Sequence, residues 1–244
     1  GRAAGLALVF VCDEETGGRG AEIVFPEFAA RGLEIESAVV GEPTGLDLAV
    51  AQKGMMVLEL EESGDACHAA HARRLEAKNA LIELARDLLA LEELELGHEH
   101  AFLGRSTLVA TVAKAGEARN RNPDFAHAVL DLRTVPGDDH EALHQLVRQT
   151  VRGTVHARSI RLRPCCIDAD HDLVMDARAL RPEARVFGSP TMSDWVFLGD
   201  VPALKCGPGQ TDRSHVADEF VLASELDDGL DFYRRLAERR LNRN

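Results

Sequence analysis

The chain of 244 residues contains no run of about 18 or more apolar residues, so no helix in it is built to span a membrane. It is also poor in positive charge. Lys and Arg number 28 against 41 Asp and Glu, and the formal net charge of −13 argues against nucleic acid or an anionic membrane surface as a partner. A metal ion or a cationic substrate suits that balance better. Cysteine is too scarce and too irregular for a disulfide framework: there are five, an odd number, with Cys165 and Cys166 adjacent. Such thiols read as reduced and place the protein in the cytoplasm, and none has the paired spacing of a zinc–cysteine site. Internal repeats and low-complexity tracts are missing too. The chain opens at Gly1, without an initiator methionine, and enters apolar core-type sequence within a few residues. The expectation is that an N-terminal portion is absent, so the lack of a targeting signal excludes nothing.

What is present begins with the apolar run Leu6-Ala7-Leu8-Val9-Phe10-Val11-Cys12, which reads as a strand buried on both faces. It empties into Asp13-Glu14-Glu15-Thr16-Gly17-Gly18. Carboxylates crowded at the end of a core strand repel one another, so they persist where a cation or a proton-transfer task compensates; an ordinary acidic turn is the competing reading. From Gly20 to Arg31 apolar residues recur at helical spacing, with Pro26 expected to shorten or distort the helix. A short strand, Ser37 to Val40, then leads into Gly41-Glu42-Pro43-Thr44, where Pro43 holds Glu42 extended.

The pattern changes at Met55. A half-exposed strand, a small-residue turn through His68, and a helix over 78–91 with Leu81, Leu84, Ala85, Leu88 and Leu91 on one stripe come first. Strands at 107–113 and 125–134, a helix over 138–152 and a strand at 159–163 follow. Strand-helix-strand-strand-helix-strand is the ferredoxin-like order, which stands as its own two-layer unit. The expected division is an α/β domain at 1–53, a ferredoxin-like (βαββαβ) insertion at 54–166, and a return to the α/β domain over 167–244. The returning part carries Gly188 to Asp194, Gly207-Pro208-Gly209, Ser214-His215-Val216-Ala217-Asp218-Glu219, and a closing helix with Leu226, Leu230, Phe232, Tyr233 and Leu236.

Six short blocks in one order carry a resemblance: Asp13-Glu14-Glu15-Thr16-Gly17, Gly41-Glu42-Pro43-Thr44, Gly64 to His68-Ala69-Ala70, Asn120 to Pro123-Asp124, Asp131-Leu132-Arg133, and Gly207-Pro208-Gly209 to His215 and Asp218-Glu219. Together they resemble the dinuclear-zinc aminoacylase/carboxypeptidase family, which includes acetylornithine deacetylase and succinyl-diaminopimelate desuccinylase. The resemblance implies a zinc-peptidase α/β catalytic domain, partial in this chain, with an inserted lid and dimerisation domain. It further implies two Zn²⁺ per site, with Co²⁺ a possible substitute, and a homodimer acting in amino-acid biosynthesis.

It also implies roles. Glu14 matches the general base that moves a proton from water to the leaving amine, and Glu15, Glu42 and His215 match metal ligands. Taken alone, His215 in a polar loop would read as a surface histidine. His68, with His71 as a substitute, matches the histidine that stabilises the oxyanion. Arg133 matches the guanidinium that grips the substrate's α-carboxylate. Asn120 and Gly209 match substrate-side contacts, and Met192, Ser193 and Trp195 are candidates to shape the pocket. One departure is large: the family's His-x-Asp strand end and its later bridging Asp do not precede Asp13, and the ten histidines begin at His68. The expectation is an N-terminally truncated piece, with a natural noncatalytic relative as the alternative. Two functions follow: a metal-dependent hydrolase cleaving the N-acyl amide of a small amino acid such as N-acetylornithine, or a noncatalytic binding and dimerisation module.

Overall fold

In chain order, the computed structural model describes residues 5–243. The acidic run Glu14–Thr16 forms a single 3₁₀ turn and leads into α1 (Arg19–Ala30), β1 (Ala38–Val40) and β2 (Leu48–Gln52). Next come β3 (Gly54–Ser63), the two-residue β4 (Cys67–His68), α2 (Ala69–Ala72), α3 (Ala80–Glu92), β5 (Thr107–Ala115), β6 (Arg121–Asn122), β7 (Phe125–Thr134), α4 (His140–Thr150) and β8 (Thr154–Leu162). The chain ends with β9 (Cys165–Cys166), α5 (Asp172–Leu180), β10 (Val186–Ser189), β11 (Ala203–Lys205) and α6 (Ala223–Leu241). Two compact units result: residues 1–52 with 165–244, and residues 53–164.

The second unit is ferredoxin-like. Its sheet runs β5-β7-β3-β8, all antiparallel, with Gly54 to Ser63 paired continuously against Thr134 to Phe125. After its exposed first residue, Phe125, strand β7 alternates between buried and half-exposed residues, and Leu58, Leu60, Leu130 and Leu132 meet Leu84 and Leu91 in the core. The buried stripe of α3 is Ala80, Leu84, Asp87 and Leu91, at offsets of four, three and four. Leu81 points outward, about half exposed, contrary to the stripe read from the sequence. The face of α3 that meets the sheet carries Ala80, Leu84 and Leu91, and Leu81 lies about 100° around the helix from Ala80; the Asn79 side chain caps the first turn by accepting from the Ile82 N–H.

The first unit is α/β. Its sheet orders as β1-β11-β2-β10, with β1 parallel to β11, β10 parallel to β2, and β9 joining β2. Every residue of β2 is buried, and Trp195, Leu204, Phe232 and Leu236 belong to the same core. Asp176 on α5, fully buried, binds Arg239, Arg240 and Arg243 of the α6 segment at 2.6, 3.3 and 2.9 Å. Burial would raise this carboxyl, but the hydrogen bonds from Arg239 and Arg240 outweigh it and hold it below the usual carboxylate range.

Three expectations fail here. The run Leu6 to Cys12 is no strand: it has no ladder partner among the described residues, and Leu6, Leu8 and Phe10 are 62%, 74% and 90% exposed. A hydrophobic run needs a neighbouring backbone before it can become a sheet strand. Helix α1 runs unbroken through Pro26 for 12 residues, neither short nor interrupted. Leu226 and Leu230 of α6 are 50% and 69% exposed, while Gly229, Phe232 and Leu236 form its buried face. Gly229 is buried against Pro208, where a Cβ would clash with the ring.

Candidate active site

The acidic turn is built by backbone geometry that alternating strand residues could not supply. Asp13 adopts φ 65°, and its carbonyl accepts from the N–H groups of Thr16, Gly17 and Gly18 at 3.1, 3.0 and 2.8 Å. Gly17 and Gly18, at φ 148° and 66°, carry the chain out of the turn. Glycine is required at 18 for a second reason: a Cβ there would strike Phe197 and Asp194. The turn leaves Glu14 half-buried and Glu15 exposed. Burial raises the Glu14 carboxyl above the ordinary range, and the charges of Glu15 and Asp194 raise it further.

Glu42 follows β1. The Val40 carbonyl accepts from the Cys206 N–H at 3.0 Å, the Thr44 N–H donates to the Gly207 carbonyl at 3.2 Å, and a Cβ on Gly207 would strike the Glu42 backbone. The loops after β1 and β11 are thus zipped together. Burial pushes Glu42 up to about 7, with Glu14, Asp194 and Glu15 adding to the rise and Lys205 opposing it. Lys205, the last residue of β11, is 2% exposed.

His215 sits in the loop after Gly207-Pro208-Gly209, at φ 59°. Its N–H donates to Glu219 Oε2 at 3.1 Å, and its Nε2 stands 3.5 Å from Glu15 Oε2, both side chains being exposed. The loop is tied to α6 by Arg213, whose Nη1 lies 3.1 and 3.0 Å from the two oxygens of Glu225. Beside it is a cavity of about 240 Å³ lined by Pro43, Pro208, Gly209, Gln210, Arg213 and Phe220 among others.

The fold therefore gathers Glu14, Glu15, Glu42 and His215, and Gly209 lines the adjacent cavity. Asp194 and Lys205 join them unannounced by the sequence, since a Gly/Ser/Thr-rich loop and a short apolar strand carry no charge pattern. Ser193 and Trp195 are each 1% exposed; the Ser193 hydroxyl donates to Gln52 at 2.7 Å, and both belong to the core rather than to a pocket. The remaining predicted residues lie in the second unit. His68 is exposed and its Nδ1 accepts from the Ala70 N–H at 3.2 Å, capping α2, with the His71 ring 5.8 Å away. Arg133 binds Asp131 through Nε at 2.7 Å and Nη2 at 3.1 Å, so its guanidinium is already engaged. The Asn120 carbonyl accepts from the Ala69 N–H at 2.8 Å, and its side chain is exposed.

The donor types, carboxylate oxygen and imidazole nitrogen, suit a zinc-type ion; the donor count does not. Among the described residues no three His, Cys, Asp or Glu side chains stand close enough to share one ion. Glu15 and His215 form a pair, and the positive charge acting on Glu42 and Glu14 together is that of Lys205.

Residues 50–157 match the family model described as a peptidase dimerisation domain. The inserted unit is an M20 peptidase dimerisation domain. Around it, the chain is 29% identical to an acetylornithine deacetylase of Myxococcus xanthus over 91% of its length, covering 61% of that protein. It is also 29% identical to a succinyl-diaminopimelate desuccinylase of Paracoccus denitrificans, with coverage of 96% and 66%. A probable carboxypeptidase of Aspergillus terreus is 28% identical, with coverage of 96% and 57%. The chain thus spans little more than half to two thirds of the M20-type relatives it matches. Among solved structures, the aminopeptidase PepT of Bacillus cereus superposes with a TM-score of 0.75 at 16% identity, covering 93% of this chain and 62% of that one. A Bacillus subtilis protein described as a dinuclear metal binding peptidase from the M20 family superposes with a TM-score of 0.68 at 17% identity, covering 96% and 64%. The M20 fold accounts for both units: an α/β domain interrupted by a ferredoxin-like one.

Proposed function

We propose that this chain belongs to a metal-dependent hydrolase that cleaves the N-acyl amide or peptide bond of a small amino-acid derivative, N-acetylornithine being the model substrate. The observation that carries the reading is the gathering of Glu14, Glu15, Glu42 and His215 on three loops of one unit, with the residues flanking Glu42 and His215 lining a cavity of about 240 Å³. Glu14 is the group suited to proton transfer. Half-buried next to Glu15 and raised by burial, its carboxyl can take up a proton and return it to a leaving amine. Zinc, with cobalt as substitute, is the ion the resemblance implies, and the described residues supply only part of its donor set.

His68 and Arg133 are proposed to act on the oxyanion and the substrate carboxylate, which for Arg133 requires release from Asp131. The dimerisation domain supports a homodimer, and the reduced thiols support a cytoplasmic setting. The test is an assay of N-acyl amino acids and dipeptides with added Zn²⁺ or Co²⁺. The expected result is metal-stimulated release of free amino acid that falls at least about 1,000-fold in Glu14→Gln. Undiminished hydrolysis by that variant overturns the role of Glu14. A protein that dimerises, takes up no metal and turns over nothing is the noncatalytic module instead, a reading favoured by the lack, among the described residues, of a third donor beside Glu15 and His215.

A further inference from the structure

The sheet of the inserted domain has a packed face and an open one. Leu58, Leu60, Leu130 and Leu132 belong to the core that α3 and α4 close. The alternation of β3 extends back to the residue before it, so Lys53, Met55, Val57 and Glu59 share the open face with Asp131 and Arg133 of β7. Register gathers cations at one end of that face. Arg133 stands between Met55 of β3 and Thr107 of β5, and Lys53 and Arg105 each lie two residues before those partners. Lys53 Nζ donates to the Arg105 carbonyl at 2.9 Å, which brings the two residues together. Gly54 holds the start of β3 in place, since a Cβ there would strike Thr134, Pro164 and the Leu162 carbonyl.

Counter-ions are scarce at this end. Asp131 is spent on Arg133 at 2.7 Å. Asp138 is turned inward, its side chain 3% exposed, and accepts from the Ser106 hydroxyl and from the Val135 N–H at 3.1 Å. Further along the face, Glu59 and Glu61 stand 3.5 and 3.8 Å from Arg158 and His156. Among the described residues, the partners of Lys53 and Arg105 are carbonyls, Arg105 donating through Nη1 to Gly97 at 3.4 Å; a carbonyl accepts a hydrogen bond without balancing a charge. Partial burial and the charge of Arg133 both push the Lys53 ammonium down, as befits a cation without a counter-ion. In a chain of net charge −13, this local excess of positive charge is a feature apart.

We propose that Lys53 and Arg105 form, beside Arg133, a subsite for a second carboxylate, so that the substrate is a dicarboxylate whose acyl group or side chain carries an anion in addition to the α-carboxylate. Lys53 supplies a fixed point charge and Arg105 a planar fork, a pair that fits a carboxylate better than a neutral amide or hydroxyl. The substrate class rests on reading the protein as a hydrolase of N-acyl amino acids; the anion subsite rests on the inserted domain alone.

The experiment has two arms. In the first, the whole chain is titrated calorimetrically at low salt with succinate and with acetate, which requires no turnover. The wild type is expected to bind succinate about tenfold more tightly than acetate, a preference that Lys53→Gln and Arg105→Gln remove and Lys53→Arg retains. Arg158→Gln, which alters a cation already paired with Glu59, is expected to leave it unchanged. In the second arm, N-succinyl and N-acetyl amino acids are compared as substrates: Lys53→Gln and Arg105→Gln should raise KM for the succinyl compound about tenfold and leave kcat and the acetyl compound near the wild type. Equal affinity of the wild type for succinate and acetate, or a preference that survives in both Gln variants, overturns the subsite. A succinate preference that the variants remove, in a protein that hydrolyses neither compound, supports the subsite and overturns the hydrolase reading instead. Arg105 is exposed, so Arg105→Gln carries the comparison should Lys53→Gln not fold.

Discussion

Glu42 is a carboxyl that the folded protein prefers protonated. Its value of about 7, against 4.5 for the free group, means the native state holds an extra proton between those limits. A raised carboxyl weakens the fold when ionised, so stability is full below about pH 4.5 and declines as pH rises through 7. The size is roughly 3 kcal/mol at most. In urea unfolding of metal-free protein at pH 5 and pH 8, the wild type should lose stability between the two and Glu42→Gln should lose markedly less. Glu14 shares the same direction, for the same first cause, burial. Both glutamates were legible in the sequence as site candidates because they end apolar runs beside glycine or proline. Their environment was not, since Asp194 and Lys205 come from segments more than 150 residues away.

At the scale of elements, the site depends on how one loop is tied down. Arg213 and Glu225 are both partly buried, and Glu225 Oε2 also accepts from the Leu222 N–H at 2.9 Å, so one carboxylate holds the His215 loop and starts α6. Arg213→Ala and Glu225→Gln should each cost about 1 kcal/mol, show coupling in a double-mutant cycle, and speed amide exchange over 211–219. The other end of α6 hangs on Asp176. Replacing it with Ala strands three arginines around a buried vacancy and should cost about 3 kcal/mol in urea unfolding. The elements of the inserted domain were readable from periodicity and its ferredoxin-like strand order in full, whereas in the first unit Leu6 to Cys12 is no strand and β2 was not foreseen. Phase was less so: which faces of α3 and α6 are buried depends on what packs against them, the sheet leucines against Leu84 and Leu91 and Pro208 against Gly229, contacts that a single-helix pattern does not contain.

For the whole molecule, the inserted domain carries the expectation of a homodimer. Strand β5 lies at one edge of its sheet and is exposed along most of its length, with Val109 and Val112 56% and 41% exposed. An edge with open N–H and C=O groups and apolar side chains is a natural pairing surface. Sedimentation should find a dimer, and Val112→Glu should shift it toward monomer without changing the unfolding midpoint by more than about 0.5 kcal/mol equivalent, as befits a surface change.

The sequence by itself determined the class of fold and the insertion and singled out Glu14, Glu15, Glu42 and His215 as candidates, because each is written in a local signal: an apolar run, a turn residue, an alternation, an ordered set of short blocks. Only the tertiary structure decided that Leu6 to Cys12 stands unpaired, that Trp195 and Ser193 belong to the core, that Arg133 is held by Asp131, and that Lys205 stands among the carboxylates. Those outcomes turn on which backbone lies beside which. Register across a sheet joins residues such as Val40 and Lys205 that no local pattern connects.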